Sequence, residues 1–340
     1  SHKMAGLFNL VSRYTPFNLE KSSTTNESTK KLTNNNDNGN QNNNKDDDKI
    51  QLVDESCSSC ASCSTKCPES IMKKIDFKSN DSYQKKNDTS LHIIIATNQA
   101  DWEHNPFSSF SSKNIIDSIK SWCDDSKNTS KINGKIKCSV SDIPFDDLDQ
   151  DSYEKKSTNI LLLPFFIWVK KIHVSNYKQI LNLILDNYVN YNPISDSSID
   201  LKLKIENLNQ TNNFGNSKIE LSNNRSYIFL CSHKTRDKRC GVTAPIIKRE
   251  IDKYLKELDL YRSPDNPKTN GVTVHFVNHV GGHKFAANML IFNKTGEIIW
   301  LGKLIPQNVR PVIDQSVLNN KIFPQFLRSA NKCKPLNIEW

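Results

Sequence analysis

Residues 226–258, SYIFLCSHKTRDKRCGVTAPIIKREIDKYLKEL, carry the reading of the fold. SYIFLC is a short apolar run of strand type. Thr243 to Leu258 then places Ile247, Ile251, Leu255 and Leu258 on one helical face, with Thr243 as the expected N-cap and Pro245 in the expected first turn. A strand therefore hands over to an amphipathic helix through a polar, basic loop bounded by Cys231 and Cys240. Downstream, GVTVHFVNHV (271–280) reads as a second strand, and MLIFN and EIIWLGKL flank Lys294-Thr295-Gly296 as a hairpin. A last helix is expected over Val309 to Leu318.

The order β-α-β-β-β-α over 225–340 fits a thioredoxin-like module. Upstream, LHIIIAT (91–97), NIIDSIKSW (114–122), KIKCSV (135–140), ILLLPFFIWV (160–169) and a helix over Tyr177 to Val189 make a smaller α/β unit over 90–192. A polar connector is expected at 193–224. Residues 1–89 read as a disordered, Cys-containing tether: between Lys21 and Lys49 the only apolar residue is Leu32, too little to offset ordering entropy. The fold class is thus α/β, with two units behind a tether.

The chain has 340 residues and a net charge of +9, unevenly placed. Residues 222–340 hold 19 basic and 9 acidic side chains, whereas the rest hold 27 and 28. The longest apolar run, Ile160 to Val169, is about half of the ~20 residues a spanning helix needs, so no membrane span is expected. Met4 to Phe17 mixes polar residues throughout and has no secretory apolar core. The nine cysteines are therefore expected to stay reduced, and their clusters point to metal or redox chemistry before disulfides.

Two loops pair borderline metal ligands at strand ends. Cys231 and Cys240 enclose eight residues between strand and helix; His279 and His283 enclose Val280, Gly281 and Gly282 between strands. Glycines there let the backbone turn tightly, so four donors are expected to converge. Such a set suits a tetrahedral zinc or a 2Fe-2S cluster with mixed ligation. The wide Cys spacing exceeds the usual C-x2-4-C of structural zinc and matches a binuclear cluster better. A Rieske arrangement is disfavoured because no histidine follows Cys240.

Taken together, YIFLCSHKTRDKRCGVTAP, NHVGGHKFAANMLIF and WLGKLIPQNV resemble the sucrase/ferredoxin-like family of thioredoxin-like ferredoxins. The similarity is dense over 226–309 and looser in the first unit, at ATNQADWEHNP. It implies a 2Fe-2S cofactor bound by Cys231, Cys240, His279 and His283. The implied role is a soluble electron carrier, rather than a catalyst with its own substrate, in cytosolic redox homeostasis or oxidative-stress tolerance. Paired carboxylates for glycoside chemistry are not evident, so the sucrase label implies no glycosidase. Two other classes remain open: a zinc-stabilised interaction module using the same four residues, and a thiol oxidoreductase on a thioredoxin fold. Against the latter, the strand–helix junction has no C-x-x-C.

Ile338-Glu339-Trp340 resembles the C-terminal tripeptide by which clients engage the cytosolic iron–sulfur assembly machinery, a terminal anchor beside a free carboxylate. It favours a cytoplasmic setting, with a mitochondrial one as the alternative. Lys234, Arg236, Lys238 and Arg239 form a candidate docking rim for an acidic redox partner such as a flavin reductase. Nucleic acid is not expected, because interleaved aromatics are missing. Cys57, Cys60, Cys63 and Cys67 have the C-x2-C-x2-C-x3-C-P spacing of a bacterial cluster run and are a candidate second metal site, although few apolar residues shield them. His233 and His275 are expected to be structural, and Cys123 and Cys138 inert core residues.

Overall fold

The computed structural model describes residues 14–16, 51–79, 89–107, 114–132, 134–145, 148–189 and 201–333. In chain order the elements are β1 (Tyr14–Pro16), α1 (Glu69–Met72), β2 (Thr89–Ala96), α2 (Ile115–Asp124), α3 (Ser126–Thr129), β3 (Lys135–Ser141), α4 (Gln150–Tyr153), β4 (Ser157–Leu163), β5 (Ile167–His173), α5 (Tyr177–Ile184), α6 (Leu201–Thr211) and β6 (Lys218–Leu221). They continue as β7 (Ser226–Cys231), α7 (Lys238–Glu257), β8 (Val272–Val277), β9 (Met289–Asn293), β10 (Glu297–Leu301), α8 (Val309–Val312) and β11 (Leu327–Cys333).

All strands join one mixed sheet in the order β1-β11-β10-β9-β7-β8-β3-β2-β4-β5-β6. Its centre is a narrow antiparallel seam where β3 meets β8 at Ser141 and Val277. Asn278 reinforces the seam by accepting from Val140 N through Oδ1 and donating its own N–H to Val140 O. On one side β7 runs parallel to β8 and antiparallel to β9; on the other β2 runs parallel to β3 and antiparallel to β4. Helices α7 and α2 make the two parallel crossovers. The result is a mixed α/β domain spanning most of the chain.

The sheet doubles back on itself. In a flat sheet β5 and β7 would stand roughly 24 Å apart, at about 4.8 Å per strand. Yet the Trp168 and Tyr227 rings are 6.3 Å apart, with Trp168 Nε1 donating to Tyr227 Oη. The helix-free faces therefore meet in a shared core that includes Ile94, Leu161, Phe166, Phe229 and Phe292. Separate cores lie beneath α2 and α5 and beneath α7 and α8.

Three boundaries differ from the sequence reading. Helix α7 starts at Lys238, not Thr243, because the Asp237 carboxylate accepts from Arg239 N at 2.8 Å and caps it earlier. Thr243 lies inside the helix and donates to Arg239 O, and Cys240 rides on the first turn instead of a loop. Residues 193–224, read as a connector, include α6 and β6; β6 extends the sheet edge beside β5. Part of the tether is ordered: residues 51–79 strap across the second half through Val53 N to Ile322 O, Cys60 N to Gln307 O and Asp76 N to Lys284 O. Main-chain bonding, which composition does not register, holds that strap. No helix among the described residues is long and apolar enough to cross a membrane.

Candidate metal centre

The end of β7, the start of α7 and the loop after β8 meet at one place. Cys231 is the last residue of β7 and Cys240 sits in the first turn of α7; both are buried. After β8 the chain turns through Gly281 (φ 104°) and Gly282 (φ 67°), conformations that side-chain-bearing residues seldom adopt, and delivers His283 to the same spot. Cys240 Sγ lies 3.6 Å from His283 Nδ1, which is 4.0 Å from Asp237 Oδ2. The ligand atoms of Asp237, Cys240 and His283 all lie within 4.8 Å of one another. Among the described residues no other group of His, Cys, Asp or Glu closes in this way.

This corrects the expected ligand set. Two cysteines and two histidines around a 2Fe-2S cluster are not what the fold assembles: the set is one thiol, one imidazole and one carboxylate. Bis-histidine ligation fails with it, and so does the electron-carrier role that rested on the cluster. The reason lies in the loops. The His279 ring stacks face to face on His283 with centroids 3.5 Å apart, and its Nδ1 accepts from Gly281 N. Asp237, by contrast, is drawn in as the helix cap.

Charge at the site follows from these contacts. Hydrogen bonding to Arg239, with Nη2 2.7 Å from Oδ2, holds the Asp237 carboxyl below its usual range. Burial, and then His279, push His283 down to about 4, so its imidazole is neutral at ordinary pH. Cys231 and Cys240 share a hydrogen bond that lowers the Cys231 thiol and raises that of Cys240. His279 and the backbone N–H groups of His233 and Val280 also favour the Cys231 thiolate. The N-terminus of α7 adds a favourable field at Cys240.

The surroundings close the site. Ile71 and Ile75 of the strap pack against Cys231, Cys240 and Ala286. Arg328 is buried beneath the glycine loop, its guanidinium over both Phe285 and Trp300, and donates from Nη1 to Gly282 O. Burial lowers its pKa to about 10.

Other expected residues lie as follows. His233 is buried, with Nε2 against Trp102 O and Glu103 O, while its Nδ1 accepts from His279 N. His275 faces Asp142, its Nδ1 3.2 Å from Oδ1. On the basic loop, Arg239 is engaged by Asp237 and Lys74 O, and Arg236 by His104, whereas Lys234 and Lys238 are exposed. The N-terminal quartet does not gather. Cys60 Sγ meets Ser62, Cys63 Sγ approaches Glu250 at 3.8 Å, Cys57 is exposed and Cys67 is buried. Ile338, Glu339 and Trp340 lie outside the described residues. Asp237 is the candidate ligand that sequence reasoning passed over; its signal was an N-cap residue three positions before a cysteine.

The sucrase/ferredoxin-like family model matches residues 82–329, which takes in the whole site. The chain belongs to the sucrase/ferredoxin-like family. Within it, actin patches distal protein 1 of Saccharomyces cerevisiae is 32% identical over 251 residues, covering 71% of this chain and 74% of that protein. Altered inheritance of mitochondria protein 32 of Debaryomyces hansenii is 34% identical over 106 residues, covering 31% of this chain and 35% of that protein. A solved structure of a thioredoxin-like 2Fe-2S ferredoxin from Aquifex aeolicus is also similar, at 15% identity and TM-score 0.22, over 34% of this chain and 97% of that one. A superposition that loose carries no conclusion about this family member's cofactor.

Proposed function

We propose that the chain is a metal-stabilised interaction module whose ion, zinc, is held by Asp237, Cys240 and His283. The convergence of their three ligand atoms carries this reading. Thiolate, imidazole and carboxylate are all zinc donors, and zinc binding would tie the start of α7 to the loop after β8. The fold, on this reading, is two thioredoxin-like units, 90–192 and 225–340. It is supported by the shared strand order β8-β7-β9-β10-β11 and β3-β2-β4-β5-β6 on either side of the seam. Exposed Lys234 and Lys238 beside the centre suit an acidic partner surface. The names of relatives such as altered inheritance of mitochondria protein 32 favour a mitochondrial setting over the cytoplasmic one.

One observation favours a second reading, thiol exchange: the Cys231 thiol is lowered by hydrogen bonding with Cys240. Metal and acid-labile sulfide analysis of the full chain, alongside Asp237→Asn and His283→Ala, separates these. One zinc per chain, lost in both variants, supports the metal reading. Two irons with two sulfides would overturn it, and metal-free protein that reduces disulfides through Cys231 would favour the second.

A further inference from the structure

A cavity of about 290 Å³ opens in the first half, at the carboxyl ends of β2 and β3 and beside the start of α2. In open α/β sheets ligands bind in this crevice, outside the strand ends where a crossover helix departs. In this mirrored sheet it is also the counterpart of the place that Cys231 and Cys240 occupy in the second half.

The walls are preformed. Trp102 is buried, its Nε1 tied to Thr97 Oγ1, and Phe145 is pinned by paired hydrogen bonds with Asn98. From behind, Ser232 donates to Ala100 O, Thr235 binds the Asp101 carboxylate, and His233 holds Trp102 O and Glu103 O. The loop around the cavity is thus clamped by the loop of the metal centre, which lowers the ordering cost of an occupant.

The lining chooses the ligand. Trp102, Ile115, Val140 and Phe145 give apolar and aromatic surface. Ser157, 4% exposed, also lines the cavity and offers a hydroxyl there. A hydroxyl on a cavity wall can exchange cavity water for a hydrogen-bonding group on a guest. An anion is disfavoured. The first N–H groups of α2 are already taken, Ile115 N by Lys155 O and Ile116 N by Asn114 Oδ1. The lining carries one cationic residue, Lys155, and one anionic residue, Glu103, so it has no net positive charge.

We propose that this cavity binds a small, uncharged, planar aromatic molecule that carries one hydrogen-bonding group for Ser157. Its volume, near the lower end for ligand pockets, limits the guest to one or two rings. The proposal is independent of the metal reading.

The full chain labelled with 15N at tryptophan tests it, with the Trp102 indole resonance identified by its loss in Trp102→Phe. Benzamide should shift that resonance saturably, and isosteric benzoate should bind at least about tenfold more weakly. Ser157→Ala, folded by circular dichroism, should weaken benzamide about tenfold, the effect of one lost hydrogen bond. The proposal is overturned if benzamide gives no saturable shift, if benzoate binds as tightly, or if Ser157→Ala leaves the affinity unchanged.

Discussion

Arg328 lies so close against Gly282 that a Cβ on the glycine would stand 1.6 Å from its Nη1. Gly282 also has φ 67°. Two constraints therefore exclude a side chain at the residue before His283. Gly282→Ala should cost about 2–4 kcal/mol, from left-handed strain plus overpacking, and should weaken metal binding. Pairing it with Arg328→Ala should relieve the clash but not the φ strain, so the double variant should recover part of the metal affinity. Urea unfolding and zinc titration check both; a silent Gly282→Ala would refute the close approach.

Asp237 is both helix cap and proposed ligand, and Asn separates the roles. Asn caps as well as Asp, so the metal-free stability of Asp237→Asn should fall only by the value of the partly buried, two-bond Arg239 ion pair, about 1–3 kcal/mol. Zinc affinity should nevertheless fall by about tenfold or more, because the anionic donor is gone. Competition with a chromophoric chelator measures it.

Ile71 and Ile75 cover the two thiols. In metal-free protein, truncating both to Ala should speed alkylation of Cys231 by iodoacetamide by about tenfold or more, since about 1.4 kcal/mol less holding energy gives that factor. Peptide mass spectrometry after timed labelling would show it. Equal rates would mean that the strap does not guard the site.

His92 gives the fold a defined acid sensitivity. Burial first, then Lys137, push its pKa down to about 3, while Nε2 stays 2.8 Å from Ser139 Oγ. Between about pH 3 and 6.5 the unfolded chain binds a proton that the folded chain refuses. Stability must then fall as pH drops through that window, by up to about 1.4 kcal/mol per unit. His92→Gln should remove that slope and leave the remainder due to His283. Chemical unfolding at a series of pH values tests this.

By itself the sequence determined the local elements and two of the centre's three donors. Period-2 and 3.6-residue patterns placed β7, α7, β8, the β9–β10 hairpin and α8, because those patterns arise from which face of each element is buried. Cys240 and His283 were legible from their residue type and their place at strand ends. The tertiary structure alone decided the rest. The early start of α7 turned Asp237 toward the site, and the glycine loop stacked His279 on His283 instead of spreading them around a cluster. The doubling of the sheet, the docking of Ile71 and Ile75, and the seating of Arg328 under Gly282 depend on residues far apart in the chain. A local pattern reports that a face is apolar, but not which distant face will cover it. Which donors meet is set only when all the elements have packed.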